Sequence, residues 1–86
     1  MTKKYMLFTT PTCPSCPPVK ALLKDLETRG MVKGELITVG ADDGSYEKAA
    51  AYHITKAPTV VFFDEQDNEL GRANNPSEVK SIVFDY

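Results

Sequence analysis

Lys4 to Thr9 reads KYMLFT, an apolar and aromatic run that stops at Thr10-Pro11, and a run this short bounded by proline predicts a buried strand. From Pro18 to Arg29 the period changes. Val19, Leu22, Leu23 and Leu26 fall at i, i+3, i+4 and i+7, one face of a helix, and Gly30 is its natural stop. ELITV, Glu35 to Val39, predicts a second strand, and GADDG then leads into a helix through Ser45 to Ile54. TVVFFD, Thr59 to Asp64, is β-branched and aromatic with Pro58 at its first position, and EQDNE separates it from Leu70–Ala73 as a hairpin loop would. In the tail, Asn75 stands as N-cap, Pro76 at the first helical position and Glu78 at the third, a capping-box arrangement followed by an apolar face of Val79, Ile82 and Val83.

The predicted order is β-α-β-α-β-β-α. A strand, a crossover helix and a second strand make a parallel pair, and the closing hairpin adds antiparallel strands. This gives an α/β fold, a four-stranded mixed sheet flanked by three helices. At 86 residues the chain is read as a single domain, 1–86, without repeat, linker or low-complexity segment.

Composition narrows the function classes. Lys plus Arg is 10 against 12 for Asp plus Glu, with signs mixed along the chain, so there is no basic footprint for nucleic acid. The first apolar run, Tyr5 to Phe8, is too short for a secretory segment or a membrane span, so no membrane partner is expected and the setting is read as cytoplasmic. In that reducing setting two cysteines do not make a stabilising framework. Closing a four-residue loop is worth about 1.9 kcal/mol by chain entropy, against about 4.7 for a hundred-residue loop. Cys13 and Cys16 would be a poor staple, but a loop that opens and closes easily.

Their setting, TTPTCPSCPPVKALL, suggests what the pair does instead. Cys13 falls just outside the first turn of the predicted helix, where unpaired N–H groups and the positive end of the helix dipole favour thiolate over thiol. Cys16, three residues on, lies on the same face and within disulfide reach. For a thiol in such a place, a fall in pKa from about 8.5 to about 7 raises the thiolate fraction at pH 7 roughly 16-fold and lowers nucleophilicity about fivefold. The net gain in attack is about threefold, and the larger benefit is a better leaving group when the next thiol attacks. Pro14 fixes φ between the sulfurs and leaves Ser15 and Cys16 as the backbone donors to Cys13. Pro17 and Pro18 fit in a first helical turn, where a missing N–H costs little, so the helix is expected to begin near Ser15 or Cys16.

A metal is the competing reading. A mononuclear zinc site needs four ligands, and beyond the two cysteines the chain offers only His53. A dimer could pool four thiolates around zinc or an iron–sulfur cluster, so a metal-binding or cluster-binding interaction module stays as the alternative to redox chemistry.

The chain resembles the thioredoxin superfamily, in the small form shared by glutaredoxins and the shortest thioredoxins. The likeness rests on TTPTCPSC after the first strand, APTVVFF opening the third, and LGRANNPSEV from the fourth strand to the last helix. It implies a thiol–disulfide oxidoreductase, a dithiol carrier that reduces protein disulfides with Cys13 as nucleophile and Cys16 as resolving thiol. It also implies a cis Ala57-Pro58 bond forming a wall of the binding groove, with Thr12, Pro14, Ser15, Ala57, Pro58 and Thr59 contacting substrate. Two departures are visible. Where thioredoxins carry a tryptophan and a buried acid before the first cysteine, this chain has Thr12 and Leu7; where glutaredoxins carry a glycine pair, Arg72 replaces the second glycine.

Lys56 and Arg72 are then the candidates to hold an anionic ligand such as glutathione. No bound cofactor and no metal are expected. The expected partners are disulfide-containing proteins, ribonucleotide reductase among them by resemblance, with a thioredoxin-reductase-type flavoenzyme or glutathione as electron donor to a monomer. An oxidase or isomerase role would require an oxidising compartment.

Overall fold

A computed structural model describes residues 3–14, 16–40 and 43–85. The elements are β1 (Lys3–Thr9), α1 (Cys16–Thr28), β2 (Val32–Thr38), α2 (Asp43–Ala51), β3 (Thr59–Phe63), β4 (Glu69–Ala73) and α3 (Pro76–Asp85). The strands form one sheet in the order β2-β1-β3-β4, with β1 and β2 parallel and the other neighbours antiparallel. This is the thioredoxin-like fold, a mixed four-stranded sheet with three helices.

Strand periodicity decides which helix meets which face. Leu7 pairs with Val60 and Tyr5 with Phe62, and these side chains join Val19, Leu23 and Leu26 of α1 and Val79, Ile82 and Val83 of α3 in one cluster. Met6 pairs with Val61, and together with Phe8 and Phe63 they turn to the other face, under Ala49 of α2. All five residues of β3 are buried because the strand is central and covered on both sides.

Three boundaries differ from the sequence reading. β2 begins at Val32 rather than Glu35, since Val32 is buried and pairs with Lys3. α2 runs from Asp43 to Ala51 and stops short of the expected Ile54. Its end is a Schellman motif: Ile54 N–H donates to the Ala49 carbonyl (2.9 Å) and His53 N–H to that of Ala50 (3.1 Å), with His53 at φ +56°. The third is the α3 cap. Asn75 Oδ1 accepts from Glu78 N–H at 2.9 Å as expected, but the Glu78 carboxylate accepts from Asn74 N–H at 2.8 Å, one residue before the cap.

Candidate active site

The site gathers at the C-terminal end of β1. Val39 N–H donates to the Thr9 carbonyl at 2.7 Å, fixing where the chain leaves the sheet, and a turn through Pro11 to Pro14 follows. Cys13 N–H donates to the Thr10 carbonyl at 3.3 Å. α1 begins at Cys16, so Pro17 and Pro18 occupy its second and third positions, where a backbone N–H has no partner to lose. Four buried residues of α1, Cys16, Val19, Leu23 and Leu26, share one stripe, so the second cysteine is anchored by the same face that builds the core.

Cys13 and Cys16 are joined in a disulfide, with Cα atoms 5.5 Å apart. Their surroundings differ: Cys16 is only 5% exposed and Cys13 is half-buried. Thr12 and Pro14 flank Cys13 and are exposed; Ser15 lies outside the described residues. Of the two cysteines, Cys13 is the more accessible.

Across from the cysteines stands the segment before β3. Phe8 pairs with Thr59, so one step further along the antiparallel ladder Pro58 comes beside Thr9, where the cysteine turn departs. The Ala57–Pro58 peptide bond is cis, Pro58 and Thr59 are buried, and Ala57 is half-buried. Among the described residues the backbone of Ala57 forms no hydrogen bond, leaving an N–H and a carbonyl open to an extended chain. A cavity of about 190 Å³ adjoins this wall, lined by Thr10, Lys56 and Ala57 together with Val39 and Ile54. A larger concavity, about 800 Å³, lies over Lys4, Tyr5, Gly34 and Tyr52 and includes neither cysteine nor Pro58. Size alone would select the wrong hollow.

The two expected cationic contacts are placed differently. Lys56 is exposed and lines the small cavity. Arg72, on β4, faces Glu69 with Nε–Oε2 at 3.0 Å and Nη2–Oε1 at 3.2 Å. These charge-assisted bonds hold the Glu69 carboxyl below its ordinary range and push the guanidinium further up.

One residue that the sequence reading passed over belongs here. Asn74 Nδ2 donates to the Pro58 carbonyl and to Thr59 Oγ1, each at 3.0 Å, and Thr59 Oγ1 donates to the Lys56 carbonyl at 2.6 Å. The only sequence signal was its position before the Asn75-Pro76 cap, and nothing in that pattern points 16 residues back.

Residues 5–66 match the Glutaredoxin family. The chain belongs to that family. Its chemistry is of the thiol–disulfide oxidoreductase kind. The matched segment carries both cysteines and the Pro58 wall and ends before β4, so Arg72 and Asn74 lie beyond it. The chain matches no curated protein sequence. Among solved structures it is similar to thioredoxin O2 from Arabidopsis thaliana in its oxidised state, with a TM-score of 0.83 at 15% identity over 98% of this chain and 74% of that one. Oxidised mitochondrial thioredoxin 3 from Saccharomyces cerevisiae gives 0.79 at 22% identity, over 98% and 78%. Thioredoxin from Trypanosoma brucei brucei gives 0.79 at 16%, over 98% and 74%. At these identities the likeness is one of fold. Among the described residues no helix is long and apolar enough to cross a membrane, and no cluster of three or more His, Cys, Asp or Glu is placed to hold a metal ion.

Proposed function

We propose that this chain is a cytoplasmic dithiol carrier that reduces protein disulfides through Cys13-Pro14-Ser15-Cys16 and is recharged by a protein dithiol rather than by glutathione. The observation that carries the reading is the unequal exposure of the two cysteines at the start of α1. The Cys13 thiolate attacks one sulfur of a substrate disulfide; a Cys13–substrate bond forms and the other substrate sulfur leaves as a thiolate. Cys16 then gives up its proton and attacks the Cys13 sulfur, the Cys13–Cys16 bond forms, and the second substrate thiolate leaves. Two electrons have passed to the substrate, which takes up two protons, and the carrier is left in the oxidised form. Thr12 and Pro14 border the reacting sulfur, and the open backbone of Ala57 offers pairing to an extended substrate before Pro58 and Thr59.

The choice of donor rests on how the anion-binding groups are used. Glu69 already takes the Arg72 guanidinium, the Glu78 carboxylate takes the Asn74 N–H ahead of α3, and Pro76 has no N–H to offer. Lys56 remains at the cavity, a single contact for a ligand with two carboxylates. A flavoenzyme of the thioredoxin-reductase type fits this better, with ribonucleotide reductase among the clients that the family resemblance suggests.

The test is insulin reduction driven by NADPH with a thioredoxin reductase or by NADPH, glutathione and glutathione reductase. Turnover is expected with the first and not the second. Turnover with glutathione alone overturns the donor assignment, and turnover with neither, nor with dithiothreitol, sinks the carrier. A Cys16→Ser variant is expected to accumulate a mixed disulfide through Cys13; accumulation through Cys16 in Cys13→Ser, and not through Cys13, reverses the assigned roles.

A further inference from the structure

Asn74 sits at the junction of β4 and α3 and donates three hydrogen bonds from two nitrogens, two of them in directions that no helix cap requires. Its backbone N–H is taken by Glu78, which ties it to the first turn of α3. Its side-chain amide reaches across to the segment before β3, giving both amide hydrogens to the Pro58 carbonyl and the Thr59 hydroxyl. The Thr59 hydroxyl passes its own hydrogen to the Lys56 carbonyl. One connected set, Glu78–Asn74–Thr59–Lys56, thus grips the segment at both ends, at Lys56 and at Pro58, and leaves Ala57 between them unpaired. The amide bonds are partly buried, so water replaces them poorly.

We propose that Asn74 is a positioning residue for disulfide exchange: it holds the Lys56–Thr59 segment as a fixed wall, so that the open N–H and carbonyl of Ala57 meet the incoming substrate chain in register with Cys13. This rests on the carrier reading above. Thr59 is also held by its pairing with Phe8 in the sheet, but Lys56 and Ala57 lie outside the strand. α2, which precedes it, ends at Ala51, and the residues between are joined to the sheet side mainly through Tyr52 and Ile54. Asn74 touches neither sulfur in the structure; it acts through the backbone it orients. A wall that drifts by an ångström weakens docking of an extended protein substrate, while a small thiol reagent that needs no wall reacts as before.

The experiment compares the full chain with Asn74→Asp, which keeps the shape and removes both amide donors, and with Asn74→Ala. Each is tested in the folded state after circular dichroism and thermal unfolding. Insulin reduction is driven by dithiothreitol, which leaves the donor question aside, and Cys13 reactivity is read by the rate of iodoacetamide alkylation of the reduced protein. Loss of about tenfold in kcat/KM is expected for both variants, carried by KM, with alkylation changed by less than about twofold. Thr59→Val, which removes the hydroxyl that joins Asn74 to the Lys56 carbonyl, is expected to raise KM in the same direction. An unchanged KM in both Asn74 variants overturns the proposal, as does a fall in alkylation that parallels the fall in insulin reduction, because that pattern marks a general loss of structure. An inactive wild-type chain removes the carrier reading and this role with it; an active wild type with unaffected variants removes this role alone.

Discussion

Among the described residues, eleven buried side chains form a single cluster on the face of the sheet covered by α1 and α3, and six of them come from the helices. On the α2 face the corresponding cluster of described residues has six, of which Ala49 alone comes from a helix. Yet α1 and α2 end alike. At α1, Met31 N–H donates to the Leu26 carbonyl and Gly30 N–H to that of Glu27, each at 3.0 Å, with Gly30 at φ +76°; at α2, His53 takes the same left-handed place. Equal terminal geometry with unequal burial shows that a cap sets where a helix stops, whereas the apolar face sets how firmly it is held. The consequence falls on the active site. Cys16 starts the firmly held helix, and the Lys56–Thr59 wall follows the loosely held one, which is where Asn74 supplies an outside tether.

Two neighbouring residues of β3 test the comparison most severely. Phe62 is fully buried on the α1/α3 face, and Phe62→Ala should cost about 3–5 kcal/mol because the hole opens inside a closed core. Phe63 is 9% exposed and borders the large concavity, so water reaches the space that Phe63→Ala leaves and the cavity penalty falls away. About 2 kcal/mol is expected there. Urea unfolding of both oxidised variants reads the difference, and equal losses would show that the faces are equally well packed.

The caps give a smaller and oppositely signed pair. No atom lies within 4 Å of where a Cβ at Gly30 would stand, so Gly30→Ala suffers only from its φ and should lose about 1 kcal/mol. His53→Gly relieves the same conformation and should gain about 0.5–1 kcal/mol, less the extra freedom glycine brings to the unfolded chain. Loss of stability in His53→Gly would mean that the exposed imidazole makes a contribution the backbone geometry conceals.

How much of this was legible follows from the kind of signal involved. Stripes survive translation well: Val19, Leu23 and Leu26 were readable as one face, and the run from Thr59 as a strand, because burial selects apolar side chains at fixed periods. The start of β2 was hidden. Lys33 and Gly34 resemble a loop, but Gly34 is there because a Cβ would come within 2.8 Å of the Tyr5 carbonyl carbon on the paired strand. The end of α2 was hidden for a related reason, since His53 in the left-handed region carries no glycine to announce it. In the site, the placement of Cys13 and Cys16 at the start of α1 was readable from the local motif, whereas the cis bond at Pro58 and its place as a wall came only through the family resemblance. What held that wall was not readable, because the Asn74 bonds join residues 15 and 16 positions apart and depend on the β3–β4 register.

The well-packed face closes at its rim through Tyr5. Tyr5 packs against the α1/α3 cluster, and its hydroxyl donates to Glu27 Oε1 near the end of α1 at 3.1 Å. Burial first, then the Glu27 hydrogen bond and charge, push its phenol up to about 12 from an ordinary 10.0. The unfolded chain therefore releases this proton near pH 10 while the folded chain still holds it. The stability that Tyr5 contributes is complete below about pH 10 and is lost as pH rises through about 12. Tyr5→Phe keeps the ring against the core and removes the titration. Its urea midpoint should sit slightly below wild type at neutral pH, and the gap should close as the pH is raised above 10. A gap that stays constant across that range would separate Tyr5 from Glu27 and leave the ring alone as the seal of the face.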